Sequence, residues 1–286
     1  MNKRRVSAST SDFLEQQLPQ NRKDQFPFVI KNQFWSLLLI GLILLLCLIP
    51  FIITIYFKNQ FEIGFYDKYL SNEISYEEYQ SSIFYLLIIA SAIEIVLSPI
   101  LSLGLSGSNR ILKLMVIGEG FLFKEDFITG VKQNYLNTFL LTLFFTVLLG
   151  VCRFISTFFL NYLLGIPAYI MLVLIVIPVY LLSNIFSSFY EANVFQCIGN
   201  STKLFIPYWW KYILSGIILF GVLYGLSFLS SIPVLVSAIQ IALSLLVLPL
   251  YLLFLFELSA SLFDKYINKD NFKEYYLLGL YNSDKE

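Results

Sequence analysis

Three ionisable residues, Glu94, Arg153 and Glu257, stand inside or at the edge of long apolar runs. A charge at the middle of a bilayer costs on the order of 3 kcal/mol on insertion scales unless it finds a partner, water or a proton. Three arrangements meet that demand. Arg153 can neutralise Glu94 and clamp two helices together, the three charges can line a substrate or proton pathway, or they can snorkel to the lipid-water boundary. Counted from the cytoplasmic ends of their runs, Glu94 lies about 11 residues, or roughly 17 Å, deep and Arg153 about 16 residues, or roughly 24 Å. An arginine side chain covers most of that difference. Glu257 sits nearer the inner surface.

Other chemistry is poorly provided for. The chain has no histidine, which removes the commonest general base and metal ligand. It also lacks a phosphate-cradling glycine loop, a nucleophile elbow and a carboxylate cluster with metal spacing. No catalytic, cofactor-binding or metal residue is therefore expected, and the chain does not read as an enzyme. Its 19 Lys and Arg balance 19 Asp and Glu, which leaves no nucleic-acid footprint. Cys47, Cys152 and Cys197 show no pairing pattern and read as small packing residues.

The elements that must position the three charges follow from composition. The chain of 286 residues is 58% hydrophobic and 13% charged, whereas soluble domains carry roughly 25% charged residues. Six apolar runs stand out: Phe34 to Phe57, Ile83 to Leu105, Asn137 to Leu160, Ile166 to Phe189, Tyr212 to Leu229 and Val234 to Phe256. Each is about 18 to 24 residues long, enough to cross a bilayer as a helix with modest tilt. The expected fold class is an all-α, polytopic membrane protein of about six transmembrane helices with amphipathic cytoplasmic connectors. Residues 1–33 form a cytoplasmic tail with room for an interfacial helix, 34–263 the transmembrane domain and 264–286 a cytoplasmic tail. Pro50, Pro99, Pro167, Pro178, Pro233 and Pro249 lie within or beside runs, where kinks are expected.

Orientation follows the basic residues. One side collects Lys3, Arg4, Arg5, Arg22, Lys23 and Lys31 in the first tail, Arg110, Lys113, Lys124 and Lys132 in the second connector, Lys203 and Lys211 in the fourth, and Lys265, Lys269, Lys273 and Lys285 in the last tail. The other side has Lys58 and Lys68, with Glu62, Asp67, Glu73, Glu77 and Glu78 in its largest loop. Both termini are therefore expected in the cytoplasm. The polar residues after Arg5 do not resemble a cleaved signal peptide, so the first helix is expected to be retained.

Two connectors have a composition of their own. In "GLSGSNRILKLMVIGEGFLFKEDF", Gly104 to Phe127, the apolar positions Phe123, Phe127, Ile128, Val131 and Tyr135 recur at helical spacing from Phe123 onward. They predict an amphipathic helix on the inner membrane surface, angled by Gly118 and Gly120, or a docking face for a cytoplasmic partner. In "YEANVFQCIGNSTKLFIPYWWKYILSG", Trp209, Trp210, Lys211 and Tyr212 suit the headgroup region. A weak internal duplication of helix, surface segment and helix is one reading of the pair. Gly221 and Gly225 form a GxxxG face, and Ser98, Ser102 and Ser106 form a small-residue stripe, both suited to close helix packing.

The segments "LPQNRKDQFPFVIKNQFWSLLLIGLILLLCLIPF" and "GLSGSNRILKLMVIGEGFLFKEDFITGVKQNY" resemble the YesL-like family of uncharacterised bacterial integral membrane proteins. The residues that carry the resemblance are Gly104, Gly107, Arg110, Gly118, Glu119, Asp126, Phe127, Gly130, Lys132 and Asn134. The chain differs from the family core in having two membrane runs and an acidic outer loop ahead of that motif. The resemblance implies a protein of the bacterial cytoplasmic membrane, in a family often encoded beside carbohydrate ABC-transporter genes. Expected partners are the lipid bilayer, ABC-transporter subunits or further copies of the chain, and no nucleic acid. The functional expectation is a non-enzymatic accessory or scaffold component of carbohydrate uptake, with a small-solute transporter or permease subunit using Glu94, Arg153 and Glu257 as the alternative.

Cysteines introduced at Asn72 and Asn282 should react oppositely with an impermeant thiol reagent in intact cells, labelled at 72 and protected at 282. Labelling at both would overturn the arrangement with both termini inside.

Overall fold

The computed structural model describes residues 2–3, 18–158, 162–225, 233–273 and 275–280. Lipid offers the backbone no hydrogen-bond partner, so apolar runs close their bonds within helices. The described residues include α1 (Arg22–Leu70), α2 (Tyr76–Val116), α3 (Phe123–Phe158), α4 (Tyr162–Phe189), α5 (Val194–Phe205), α6 (Trp209–Gly225) and α7 (Pro233–Phe263). A π-helical turn, Asp264–Asn268, and a last turn, Lys269–Asn271, follow α7. Two short strands, β1 (Asn2–Lys3) and β2 (Tyr190–Glu191), pair antiparallel.

Among the described residues, four helical stretches are long and apolar enough to cross a membrane: Arg22–Leu70, Tyr76–Val116, Phe123–Phe158 and Ala242–Asn271. Val173–Phe189 is a shorter apolar stretch. The expected runs Ile166 to Phe189 and Tyr212 to Leu229 fall on α4 and α6, and part of the second lies outside the described residues. Large side chains such as Trp35, Val96 and Leu136 point away from the protein, as lipid-facing positions would.

The largest departure from the sequence expectations concerns the connectors. Lys58 to Gln80 is mostly helix, because α1 runs on to Leu70 and α2 begins at Tyr76. At 1.5 Å per residue the 49 residues of α1 span about 74 Å, more than twice a hydrocarbon core. The hairpin closes by local signals. Asn72, at φ 58°, ends α1 with Glu73 N donating to Lys68 O and Asn72 N to Tyr69 O, a Schellman pattern. Ser75 and Glu78 then form a capping box at the start of α2, which satisfies two orphan donors. Tyr69 stacks on Tyr79 across the turn, with ring centroids 5.4 Å apart.

The segment expected as a cytoplasmic surface connector is also helix, and it is interior. Every residue from Gly104 to Ile117 is buried, since α2 continues beyond its apolar run and is packed by α1, α3, α4 and α7. Gly118, at φ 68°, closes α2 in a second Schellman pattern, Glu119 N to Leu114 O and Gly118 N to Met115 O. The Phe123 to Tyr135 stretch is the start of α3, not a separate surface helix. Its buried face is Asp126, Gly130, Asn134 and Thr138, while Ile128 is exposed and Phe127, Val131 and Tyr135 are half-buried. The apolar positions Phe123 and Phe127 flank this stripe and pack on the core, while small and polar side chains make the tighter helix contact between them.

The connector after α4 forms a short amphipathic helix, α5, with Cys197, Ser201, Leu204 and Phe205 buried and Phe195 exposed. Asn193 and Gln196 cap it reciprocally. Trp209 and Trp210 are exposed as the headgroup reading requires, but Tyr212 is buried against Phe205. Residues 22–32 of the expected tail are helical. Gln33 is non-helical within α1, beside Asn32, whose side-chain amide donates to Phe28 O; such insertion into the ladder bends helices. Phe186, Phe189 and Tyr190 pack around the Phe263 ring, which joins α4 to the end of α7.

Candidate functional site

Two polar networks converge on the end of the bundle that carries Arg22, Val116, Ser188 and Asp264. The first lies where α2 crosses α3. Gly107 and Gly130 let the helices close: a Cβ on Gly130 would lie 2.7 Å from Arg110 Cβ and 2.8 Å from Ser106 O, and one on Gly107 would run into the Phe127 ring. Arg110 Nε and Nη2 donate to Asp126 Oδ1 at 3.2 and 3.1 Å, and its Nη1 donates to Gln133 Oε1 at 3.0 Å. Asp126 Oδ2 accepts from Leu122 N at 3.0 Å, so one carboxylate satisfies an orphan N–H at the start of α3 and a guanidinium together. Gly104 makes α1 part of the same crossing, since a Cβ there would lie 2.7 Å from Cys47 Sγ.

The ten motif residues are thereby sorted. Gly107, Arg110, Asp126, Phe127 and Gly130 lie in the α2–α3 contact, Gly104 faces Cys47 and Ile43 of α1, Asn134 is buried on the same face of α3, and Gly118 and Glu119 form the turn below. Lys132 is exposed. Asn134 Oδ1 is buried without a hydrogen bond. Ser98, Ser102 and Ser106 are buried along α2, and each hydroxyl donates to a carbonyl of its own helix. Gly221, in contrast, faces open space, and the side-chain position of Gly225 lies outside the described residues.

The second network ties the chain's ends to α2. Arg22 Nε and Nη2 donate to Asp264 Oδ2 at 3.1 and 2.8 Å, and Arg22 Nη1 to Gln25 Oε1 at 2.9 Å. Gln25 Nε2 donates to Val116 O, one of the carbonyls left open at the end of α2. Asp264 Oδ1 accepts from Asn268 Nδ2 at 2.9 Å and from Leu277 N at 3.3 Å, while Tyr190 OH donates to Asn268 Oδ1 at 2.6 Å. Burial, and then the Asp264 charge, push the Tyr190 phenol well above its usual range, which keeps it a neutral donor. Lys113 Nζ donates to Ser188 O at 3.2 Å and lies over the Phe189 and Tyr275 rings. Gly279, at φ 84°, lets the last described residues press on Val116 and Ile117.

Of the three charges expected within apolar runs, two meet. Arg153 Nη1 donates to Glu94 Oε1 at 3.1 Å, joining α2 to α3. Glu257 is not part of that pair. It is buried on α7 with Oε1 lacking a hydrogen-bond partner, and the Arg22 charge acts on it. Among the described residues, Cys, Asp and Glu side chains do not gather in threes as a metal ion would require. Gln25, Tyr190, Asp264 and Asn268 were not singled out from the sequence, and Arg22 and Lys113 entered only as charges that orient the chain. Each sits where a helix ends or begins, but nothing local couples Arg22 to a carboxylate 242 positions away.

Breaking one member of a buried ion pair strands the other at a cost of about 3 to 5 kcal/mol, whereas replacing both by apolar groups is often nearly neutral. Glu94→Gln and Arg153→Met should each lower the yield of monodisperse protein in detergent, and the double variant should restore it. Gly130→Ala should cost about 1–3 kcal/mol of stability by overpacking, read as a lower thermal unfolding midpoint, and Gly221→Ala should leave that midpoint unchanged or raised. No family model, curated protein or solved structure matches the chain, so its function has to be argued from these two networks and the charges beside them.

Proposed function

We propose that the chain is a non-enzymatic scaffold or accessory protein of the bacterial cytoplasmic membrane, spanning it six times with both termini inside. The observation that carries this reading is the use of charge. Arg110–Asp126 and Arg153–Glu94 both join α2 to α3, and Arg22–Asp264 joins α1 to the turn after α7. Charges spent on bracing helices against one another fix which helices are neighbours and support a rigid membrane platform better than a moving carrier. The association with carbohydrate uptake, through ABC-transporter subunits or through copies of the chain, rests on the resemblance to the YesL-like family alone.

A second reading, a small-solute transporter, is favoured by one feature. Glu257 keeps a buried carboxylate oxygen without a hydrogen bond, and an unsatisfied ionisable group within a spanning helix is a common mark of an ion or proton path.

Purified in mild detergent from its own host, the accessory protein should bring an ABC-transporter subunit with it. Reconstituted alone, it should leave liposomes impermeable to sugars. Solute flux by the chain alone, abolished by Glu257→Gln with the fold intact, would place the transporter reading first.

A further inference from the structure

We propose that the cleft between α4, α5 and the turn after α7 binds the headgroup of an anionic phospholipid. The proposal rests on the membrane reading of the chain and goes beyond the scaffold role, because it assigns a ligand to a site outside both polar networks. The cleft has a volume of about 560 Å³ and offers two kinds of wall. Asn200, Lys203, Tyr266 and Asn271 bring an ammonium, two amides and a phenol, while Phe186, Leu204, Ile267 and Phe272 are apolar. A phosphodiester with a glycerol and the first methylenes of its acyl chains presents the same two halves. A free phosphate would leave the apolar wall without a partner.

The rim has the composition of a membrane boundary. Lys265 Nζ donates to Tyr208 Oη at 3.1 Å and lies 5.0 Å from the Tyr266 ring centroid, and Lys211 Nζ lies 5.2 Å from that of Tyr208. Tyr208 and Tyr266 share a hydroxyl hydrogen bond of 2.9 Å. Phe195, Ile206, Trp209 and Trp210 are exposed alongside, the aromatic and apolar residues that settle at headgroup level beside cations. The charge is one-sided. From Ala192 to Gly225 the chain has no Asp or Glu. Of the acidic residues beside these segments that the structure describes, Asp264 is paired with Arg22, and Glu191 and Asp270 are exposed. The three lysines, Lys203, Lys211 and Lys265, outnumber the two exposed carboxylates, Glu191 and Asp270, in these segments. Lys203 inside the cleft and Lys265 at its rim are placed to take the phosphate.

The test uses the full chain in a mild detergent. Its thermal unfolding is followed while phosphatidylglycerol, phosphatidylcholine or inorganic phosphate is added, and retained lipid is counted by native mass spectrometry. Phosphatidylglycerol should raise the midpoint and remain bound, and the other two should do neither. Each of Lys203→Gln and Lys265→Gln should weaken the apparent affinity about fivefold, as expected for one basic residue at an anionic surface. Lys58→Gln with Lys68→Gln, at the far end of the α1–α2 hairpin, should not weaken it. Lys203 is exposed, so the single Lys203→Gln variant keeps the test open should the Lys265 change disturb Tyr208. An equal response to phosphatidylcholine, the same shift with inorganic phosphate, or an undiminished response in Lys203→Gln would each overturn the proposal. None of these outcomes touches the scaffold reading, which stands or falls on co-purification and flux.

Discussion

The fold turns on one close approach, the crossing of α2 and α3 at Gly107 and Gly130. Without side chains at those two positions the helices come near enough for Arg110 to lie against Asp126 in the interior. Everything below depends on where α2 then ends. Val116 O receives Gln25 and Arg22 from α1, Lys113 reaches the end of α4, and the Gly118 turn receives the Gly279 segment. A bulkier residue at the crossing would move the end of α2 and with it each of these partners.

Energetically, such pairs are better at choosing neighbours than at adding stability. Two charges taken out of water lose solvation that their attraction only partly restores, and an apolar pair of similar size is often as stable. Their value lies in the penalty on any other arrangement. In lipid an apolar helix surface is nearly indifferent to which apolar surface it meets, so packing of small residues and polar bonds has to decide. The serines along α2 and the Arg153–Glu94 pair extend the α2–α3 contact across the apolar zone, where selective interactions are scarce.

The sequence made the helices legible and left their packing illegible. Apolar runs of about 20 residues announce membrane helices by length alone, and the Glu94–Arg153 pairing could be anticipated because both charges sit deep in apolar runs with nothing else to meet. Polarity misled elsewhere. "GLSGSNRILKLMV" reads as a water-facing connector, yet it is interior, since Arg110 and Lys113 have partners brought in from α3 and the end of α4. The network around Asp264 was hidden for the same reason: its members are polar residues at helix ends, and only the tertiary fold brings Arg22 to Asp264 and Tyr190 to Asn268, its neighbour one turn on. α5 is the opposite case, a short amphipathic helix closed by a local capping pair, Asn193 and Gln196, that was not read from the sequence although its signals are local.

The two ends of the molecule are consequently stabilised in different ways. At the tip of the α1–α2 hairpin the Schellman turn, the capping box and the stacked tyrosines join residues close in sequence, so that region can open without disturbing the bundle. At the other end Arg22, Asp264, Lys113, Ser188 and Gly279 join distant parts of the chain, and opening any one contact exposes a buried charge or a helix terminus. Local stability follows the number and burial of such contacts. The tip is therefore the adaptable end and the polar end, which carries α5 beside the turn after α7, the fixed one.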